Sequence, residues 1–388
     1  MKVLIVSPYF PPYQSVAVVR ISSLVRHLIQ KEFQVTVLTN KLSSTEIQNI
    51  SNFKFENVKK YYVDISRNQG EYFKNKKSYE KIFRRLMEKN NYDRVIITCG
   101  PYYTVPLCTI SEKDYNTKCI IDYRDLWLLD IRNMRDFLHP KNIFKKIIFF
   151  PIEARAFFHS HKIITVTEGW AKTLKKMYPF FNKKIKVVYN GYDDTYLKEA
   201  YISNENASFI ETGRDYNLMI FGKLSYYSKE YSNILFKAVK GINANHNNLN
   251  IVQVGLEESV TRSIINELNF NTNNFISTGF LDYADGIKEL KSANVTVIID
   301  IRKRAIGTKI YDYVYVNKPI IYIGKKNTYL SNFVSKFEHG YSCNNEKDLI
   351  HTLNYLIENK ITYLTKTNTI DLYSRSYQNN EFEKYIKG

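Results

Sequence analysis

Cysteine is scarce in this chain. There are four among 388 residues (Cys99, Cys108, Cys119 and Cys343), and none stands in a CxxC spacing. That excludes a disulfide scaffold and a thiolate zinc site, and it suits a reducing cytoplasm. No apolar run approaches the roughly 20 residues that a membrane-spanning helix needs. The opening Met1-Lys2-Val3-Leu4-Ile5-Val6-Ser7 turns polar too early for a secretory signal and reads as a buried strand from residue 2. The seven histidines show neither i, i+4 pairing nor zinc-ligand spacing. Also missing are a Walker loop, a Gly-x-Ser-x-Gly elbow, a G-x-G-x-x-G fingerprint and a strand-end Asp-x-Asp. Their absence sets aside a P-loop NTPase, an α/β-hydrolase, a dinucleotide oxidoreductase and a metal held by paired aspartates.

Acid is scarce as well. Thirty-eight Asp and Glu stand against 56 Lys and Arg, for a formal charge of +18. Such a surface attracts polyanions: nucleic acid, anionic lipid or phosphorylated substrates. With no zinc-finger spacing, no basic region joined to heptads and no RNP motif, nucleic acid is not the expected partner. The remaining composition, 44% hydrophobic and 24% charged, is that of a globular protein long enough for two domains.

Apolar runs alternate with helix-period segments, the pattern of a parallel α/β architecture. Candidate strands in the first half are 2–7, 34–39, 93–98, 118–123, 162–167 and 185–189. Ile21, Leu24, Val25 and Leu28 mark an amphipathic helix after the first. A polar stretch from Lys198 to Arg214 reads as a linker, followed by a second series at 217–222, 249–254, 274–278, 294–300 and 319–323. Two doubly wound domains are expected, 1–195 and 196–369, with a helix near 370–388 free to pack back on either.

In their order, these segments resemble the GT-B glycosyltransferases, specifically the family 4 group that builds bacterial capsule, O-antigen and other surface polysaccharides. Met1 to Pro12 is similar to the family's first strand and acceptor loop, and Ser15-Val16 stand where members usually carry a Gly-Gly pair, with Arg20 following. Asp122-Tyr123-Arg124-Asp125-Leu126-Trp127 resembles a D-x-R-D-L-W segment of capsule and O-antigen transferases. Ile163 to Glu168 and Val187 to Asp193 resemble two further family strands. Phe221-Gly222-Lys223-Leu224 is similar to a "GRL" turn with lysine replacing arginine, and Lys229 lies near a second family lysine. Arg304 to Asp312 resembles the E-x7-E motif. Arg304 stands in place of the first Glu, Gly307 keeps the motif's glycine, and Asp312 replaces the second Glu.

The resemblance implies a GT-B fold, with two Rossmann-like domains of doubly wound parallel sheet facing a central cleft. It also implies transfer of a sugar from a nucleotide-diphosphate donor to a saccharide acceptor, with retention and without metal or other cofactor. The donor would be held by Gly222, Lys223, Lys229, the Gly307, Thr308 and Lys309 amides at a helix start, and Asp312 at the ribose. Arg304 would lie beside the donor sugar. Ser15, Val16 and Arg20 would belong to the acceptor loop. Asp125, with Arg124, would orient or deprotonate the acceptor hydroxyl. A sugar-nucleotide 2-epimerase and a non-catalytic GT-B partner subunit are the competing readings.

One more segment is distinctive. Lys141-Asn142-Ile143-Phe144-Lys145-Lys146-Ile147-Ile148-Phe149-Phe150-Pro151 mixes lysines with bulky apolar residues ahead of a helix-breaking proline. It suits an interfacial helix on the anionic inner face of the cytoplasmic membrane, where an undecaprenyl-type lipid would present the acceptor. A basic run from Lys74 to Lys81, with Arg84 and Arg85, would add to the attraction.

Overall fold

The computed structural model describes residues 1–13, 16–43, 55, 58–67, 71–128, 139–203, 216–244, 248–366 and 368–388. The chain divides into two units, Met1–Asn190 with Gln378–Gly388, and Gly191–Tyr377.

The first unit is built on seven parallel strands: β1 (Lys2–Val6), β2 (Gln34–Asn40), β3 (Lys59–Val63), β4 (Arg94–Thr98), β5 (Cys119–Asp122), β6 (Lys162–Thr165) and β7 (Ile185–Val187). Their order across the sheet is β3-β2-β1-β4-β5-β6-β7. Alternate residues of β1 explain why its sequence is apolar throughout. Leu4 and Val6 enter one core cluster with Tyr79, Phe83 and Phe157. Val3 and Ile5 enter the opposite one with Leu24, Val25 and Leu28 of helix α1 (Val16–Gln30). Both faces are covered, so the strand has no polar side.

The second unit repeats the plan with β8 (Tyr216–Phe221), β9 (Leu249–Val254), β10 (Phe275–Ser277), β11 (Val295–Asp300), β12 (Ile320–Gly324) and β13 (Gly340–Cys343). Their order is β10-β9-β8-β11-β12-β13, again all parallel. In each sheet the connection reverses direction at the first strand, between β1 and β4 and between β8 and β11. Doubly wound sheets bind ligands at such switch points, outside the carboxyl ends of the strands.

Two strands, β3 and β13, have no counterpart in the apolar runs of the sequence. Both are edge strands. Lys59-Lys60-Tyr61-Tyr62-Val63 buries only its last residue, and Gly340-Tyr341-Ser342-Cys343 only its cysteine. An edge strand facing water needs no continuous apolar run. The helix Asp194–Ser203, which buries Leu197, runs into the polar stretch from Lys198 to Arg214 expected as linker; 204–215 lie outside the described residues.

The last helix, Arg375–Lys387, begins in the second unit and ends in the first. Its Phe382 and Ile386 complete the α1-side core cluster. Glu383 takes His27 Nε2 of α1 at 2.6 Å, and the Ile386 carbonyl accepts from Arg94 Nε at 2.7 Å. Phe382→Ala leaves a cavity among these side chains and should destabilise the first unit by about 3–5 kcal/mol. A urea titration that resolves the two units should show this as an earlier transition for the first.

Candidate donor and acceptor sites

In the second unit, the β8 turn is held from beneath. Gly222 has φ +74°, a backbone conformation that side chains disfavour, and its amide donates to the Val254 carbonyl at 2.7 Å. Glu258 accepts from the Leu224 amide at 2.6 Å and the Ser225 amide at 3.1 Å. Gln253 Nε2 donates to the Gly222 carbonyl at 3.0 Å. These bonds fix the turn and leave Lys223 on its exposed side, with Nζ 4.3 Å from the centre of the Tyr226 ring.

Opposite the turn lies the segment between β11 and the helix Lys309–Val316. Lys309 reaches over Gly222 so closely that a Cβ there would meet its Nζ at 2.6 Å. Burial lowers the pKa of this ammonium. Glu258 and Asp312 favour its charge, while Lys223 and Arg302 oppose it. Arg302 is clasped by Asp300 through Nε at 3.1 Å to both oxygens and Nη2 at 2.6 Å, and it stacks on Tyr227 at 4.4 Å. A Cβ on Gly307 would come 3.3 Å from Arg302 Nη2. Three cations, two glycines and a helix start with the Thr308 and Lys309 amides therefore share the β8–β11 switch point. Fixed positive charge beside a helix start attracts anions.

Asp312 sits in the first turn of that helix, buried, with Tyr283 Oη donating to its Oδ1 at 2.5 Å. Burial pushes its pKa up to about 7, against the opposing pull of the Tyr283 bond, Arg375 and Lys309. Arg304 is exposed on the loop. Lys229 is not part of the cation group. Its Nζ pairs with Glu267 at 2.6 Å on the exposed surface, and it is not among the charges acting on Lys309.

Sequence reasoning did not reach Arg302, Asp300 or Glu258. A carboxylate ending the apolar run Val295-Thr296-Val297-Ile298-Ile299 was the available signal for Asp300 and, through it, Arg302. The side chains Tyr226, Leu256 and Phe280 also escaped notice. They are exposed after β8, β9 and β10, Phe280 by 80%.

In the first unit, Arg20 is committed to the fold. Its guanidinium makes three contacts of 3.1–3.2 Å with buried Asp122 and donates to the Tyr189 carbonyl at 2.7 Å. That places it inside the unit, not on an open acceptor loop. Ser15 and the side chain of Val16 lie outside the described residues. Past the end of β5, Arg124 is half-buried and Asp125 exposed. Trp127 is pinned between Tyr102, parallel at 5.0 Å, and Tyr72 at 5.8 Å, while Tyr102 Oη donates to the Asp125 carbonyl at 2.9 Å.

The helix Pro140–His159 runs on through Pro151. Its inner side buries Glu153, Ala156 and Phe157, and its outer side exposes Phe144 by 69%, Ile147 by 66% and Phe158 by 65%, with Ile143 and Ile148. Lys145 and Arg155 are also exposed, and the side chain of Lys141 lies outside the described residues. In the other basic run, Lys74 pairs with Glu71, Lys76 with Glu80 and Arg84 with Asp114, so much of its charge is answered within the protein. Among the described residues, no helix is long and apolar enough to cross a membrane.

Residues 17–196 match the model for Glycosyltransferase Family 4. No curated protein matches the chain by sequence. Among solved structures, a glycosyltransferase from Rickettsia africae is similar with a TM-score of 0.66 at 16% identity, over 100% of this chain and 97% of that one. The UDP-GlcNAc 2-epimerase from Methanocaldococcus jannaschii is similar with a TM-score of 0.62 at 14% identity, over 100% and 99%. Anabaena HepE, in complex with UDP and glucose, gives 0.63 at 14%, again over 100% and 99%. At such identities the structural likeness speaks for the fold. The likeness gives this chain the two-domain GT-B fold, and its residues 17–196 are similar to Glycosyltransferase Family 4.

Proposed function

We propose that the chain transfers a sugar from a nucleotide-diphosphate donor to a saccharide acceptor in the synthesis of a bacterial surface polysaccharide such as capsule or O-antigen. The observation that carries this reading is the convergence of Lys223, Arg302 and Lys309 on the β8–β11 switch point. A diphosphate leaving group gains charge in the transition state, and preorganised cations stabilise that charge without a metal. Retention of anomeric configuration follows from the resemblance to family 4. On this reading Phe280 and Leu256 receive the base, and Asp312 the ribose. Asp125, aided by Arg124, handles the acceptor hydroxyl. Anabaena HepE, whose structure holds UDP and glucose, supports a nucleotide-sugar partner.

The fold likeness to a UDP-GlcNAc 2-epimerase gives a second reading. Product analysis separates the two, because an epimerase converts the donor with no acceptor present. Arg304, in place of the family's first Glu, motivates a third reading, a binding subunit without turnover.

The protein would work in the cytoplasm, at the inner membrane face, on a lipid-linked acceptor of the undecaprenyl type. The apolar outer side of helix 140–159, bordered by Lys145 and Arg155, supports this.

Three outcomes are expected. First, Lys223→Ala and Lys309→Ala should each weaken UDP binding by about 1.5–3 kcal/mol, the scale of a charge-assisted hydrogen bond. Calorimetry showing unchanged affinity in both would sink the donor assignment. Second, a ribose hydroxyl donating to Asp312 favours its ionised form. Affinity for UDP-glucose should therefore rise as pH passes upward through about 7, by up to about tenfold if one such bond is at stake. Asp312→Asn should flatten that dependence, as followed by calorimetry from pH 6 to 8. Third, the protein should float with vesicles containing phosphatidylglycerol but not with phosphatidylcholine alone. Flotation should weaken with salt and fall when Lys141, Lys145 and Lys146 become Glu, at about 1 kcal/mol per near-surface cation. Indifference to both vesicles would point to a soluble acceptor.

A further inference from the structure

The segment carrying Arg124 and Asp125 is closed on itself by one of its own side chains. Tyr123 directly follows β5 and is buried, and its hydroxyl oxygen accepts from the Trp127 amide at 3.1 Å. The tyrosine side chain thus spans the turn formed by Arg124, Asp125 and Leu126. The same hydroxyl donates to Glu153 Oε1, on the inner side of helix 140–159. Glu153 Oε2 accepts from the Tyr178 hydroxyl.

Glu153 has no exposed surface at all. A carboxyl in such a place is expensive unless its oxygens are satisfied, and here two phenols satisfy them. The direction of the bond matters. A phenol has one proton to give, and giving it to Glu153 leaves the oxygen's lone pairs to take the Trp127 amide. Were the proton turned elsewhere, the lone pairs would turn with it and the amide would lose its acceptor. The Trp127 ring is held separately between Tyr102 and Tyr72. Both ends of the turn are therefore anchored, and Arg124 and Asp125 take their directions from it.

We propose that Glu153 is a positioning residue for the acceptor step: by fixing the Tyr123 hydroxyl it locks the 123–127 turn and sets where Arg124 and Asp125 are presented. This rests on the reading of those two residues as acceptor-side groups. A purely structural Glu153, one that only seats its helix on the sheet, would show itself as lost stability with all kinetic parameters declining together.

The discriminating variant is Tyr123→Phe, which keeps the ring and removes only the oxygen. Amide hydrogen exchange at Trp127 should accelerate. The kcat/KM for acceptor should fall about 10- to 100-fold, as misplacement of reacting groups does. UDP affinity should not change. Glu153→Leu, which fills the space without an acceptor, should reproduce this pattern, and Glu153→Gln, which keeps an oxygen for Tyr123, should restore most of the activity. Wild-type exchange and acceptor kinetics in Tyr123→Phe would overturn the proposal. So would losses that simply track the melting temperature. A wild-type chain that transfers no sugar would remove the acceptor step itself, whereas an active wild type with an indifferent Tyr123→Phe removes only the role of Glu153.

Discussion

A parallel sheet covered by helices on both faces has little room for a polar group except at the ends of its strands, and any group inside must find a hydrogen-bond partner. That constraint organises this protein. In β1 and β4, in β8 and β11, the interior positions are apolar except Asn217 and Thr296, which are hydrogen-bonded to Asn250 and the Pro319 carbonyl, and most of the chemistry collects where the strands run out. Asp122 and Asp300 are the last residues of β5 and β11, and each, buried, clasps an arginine. The pairings have different consequences. Arg20 is drawn inward and stitches α1 to the sheet. Arg302 is held outward on an aromatic face, beside Gly307, where a ligand can meet it. A buried carboxylate can thus serve either the fold or the site, according to the element from which its partner comes.

Much of this was open to reading in the sequence, and the reason is the same constraint. Central strands are largely apolar on both faces, so β1, β4, β8 and β11 stand out as apolar runs, β8 and β11 each carrying one polar residue inside. Edge strands carry no such obligation, and β3 and β13 left no trace beyond a few tyrosines and a cysteine. Gly222 and Gly307 were singled out by their resemblance to glycines of the family's turn and of its E-x7-E motif. Lys309 was expected for its amide, yet its side chain also joins the cation group, over Gly222. The division of labour among charges was not readable. Lys223 and Lys229 look equivalent six residues apart, but only the partner across the fold, Glu267, decides that the second belongs to the surface. Likewise Arg20 and Arg302 differ by geometry that no spacing encodes. Glu153 gave no signal at all, since its partners Tyr123 and Tyr178 are 30 and 25 residues away.

The cation group at the β8–β11 switch point also shows how crowded positive charge is tolerated. Lys309 is half-buried beside two other cations, which burial and repulsion both oppose. Glu258 and Asp312 offset part of that penalty. Glu258 accepts both amides of the β8 turn on Oε2 while its charge favours the ammonium of Lys309, so one carboxylate shapes the loop and steadies the cation beside it. An anion at this edge would relieve the remaining repulsion.

The return of the last helix to the first unit bears on how the molecule is made. Domains usually fold as they emerge during synthesis, amino-terminal first. Here the strands of the first unit leave the ribosome early, yet the core on the α1 side stays open until Phe382 and Ile386 arrive. Residues 191–377, the whole second unit, are synthesised in between. A nascent chain therefore carries an uncovered strip of α1 through nearly half of its translation, while the second unit can close as soon as it is out. For the first unit, being born first means being finished last.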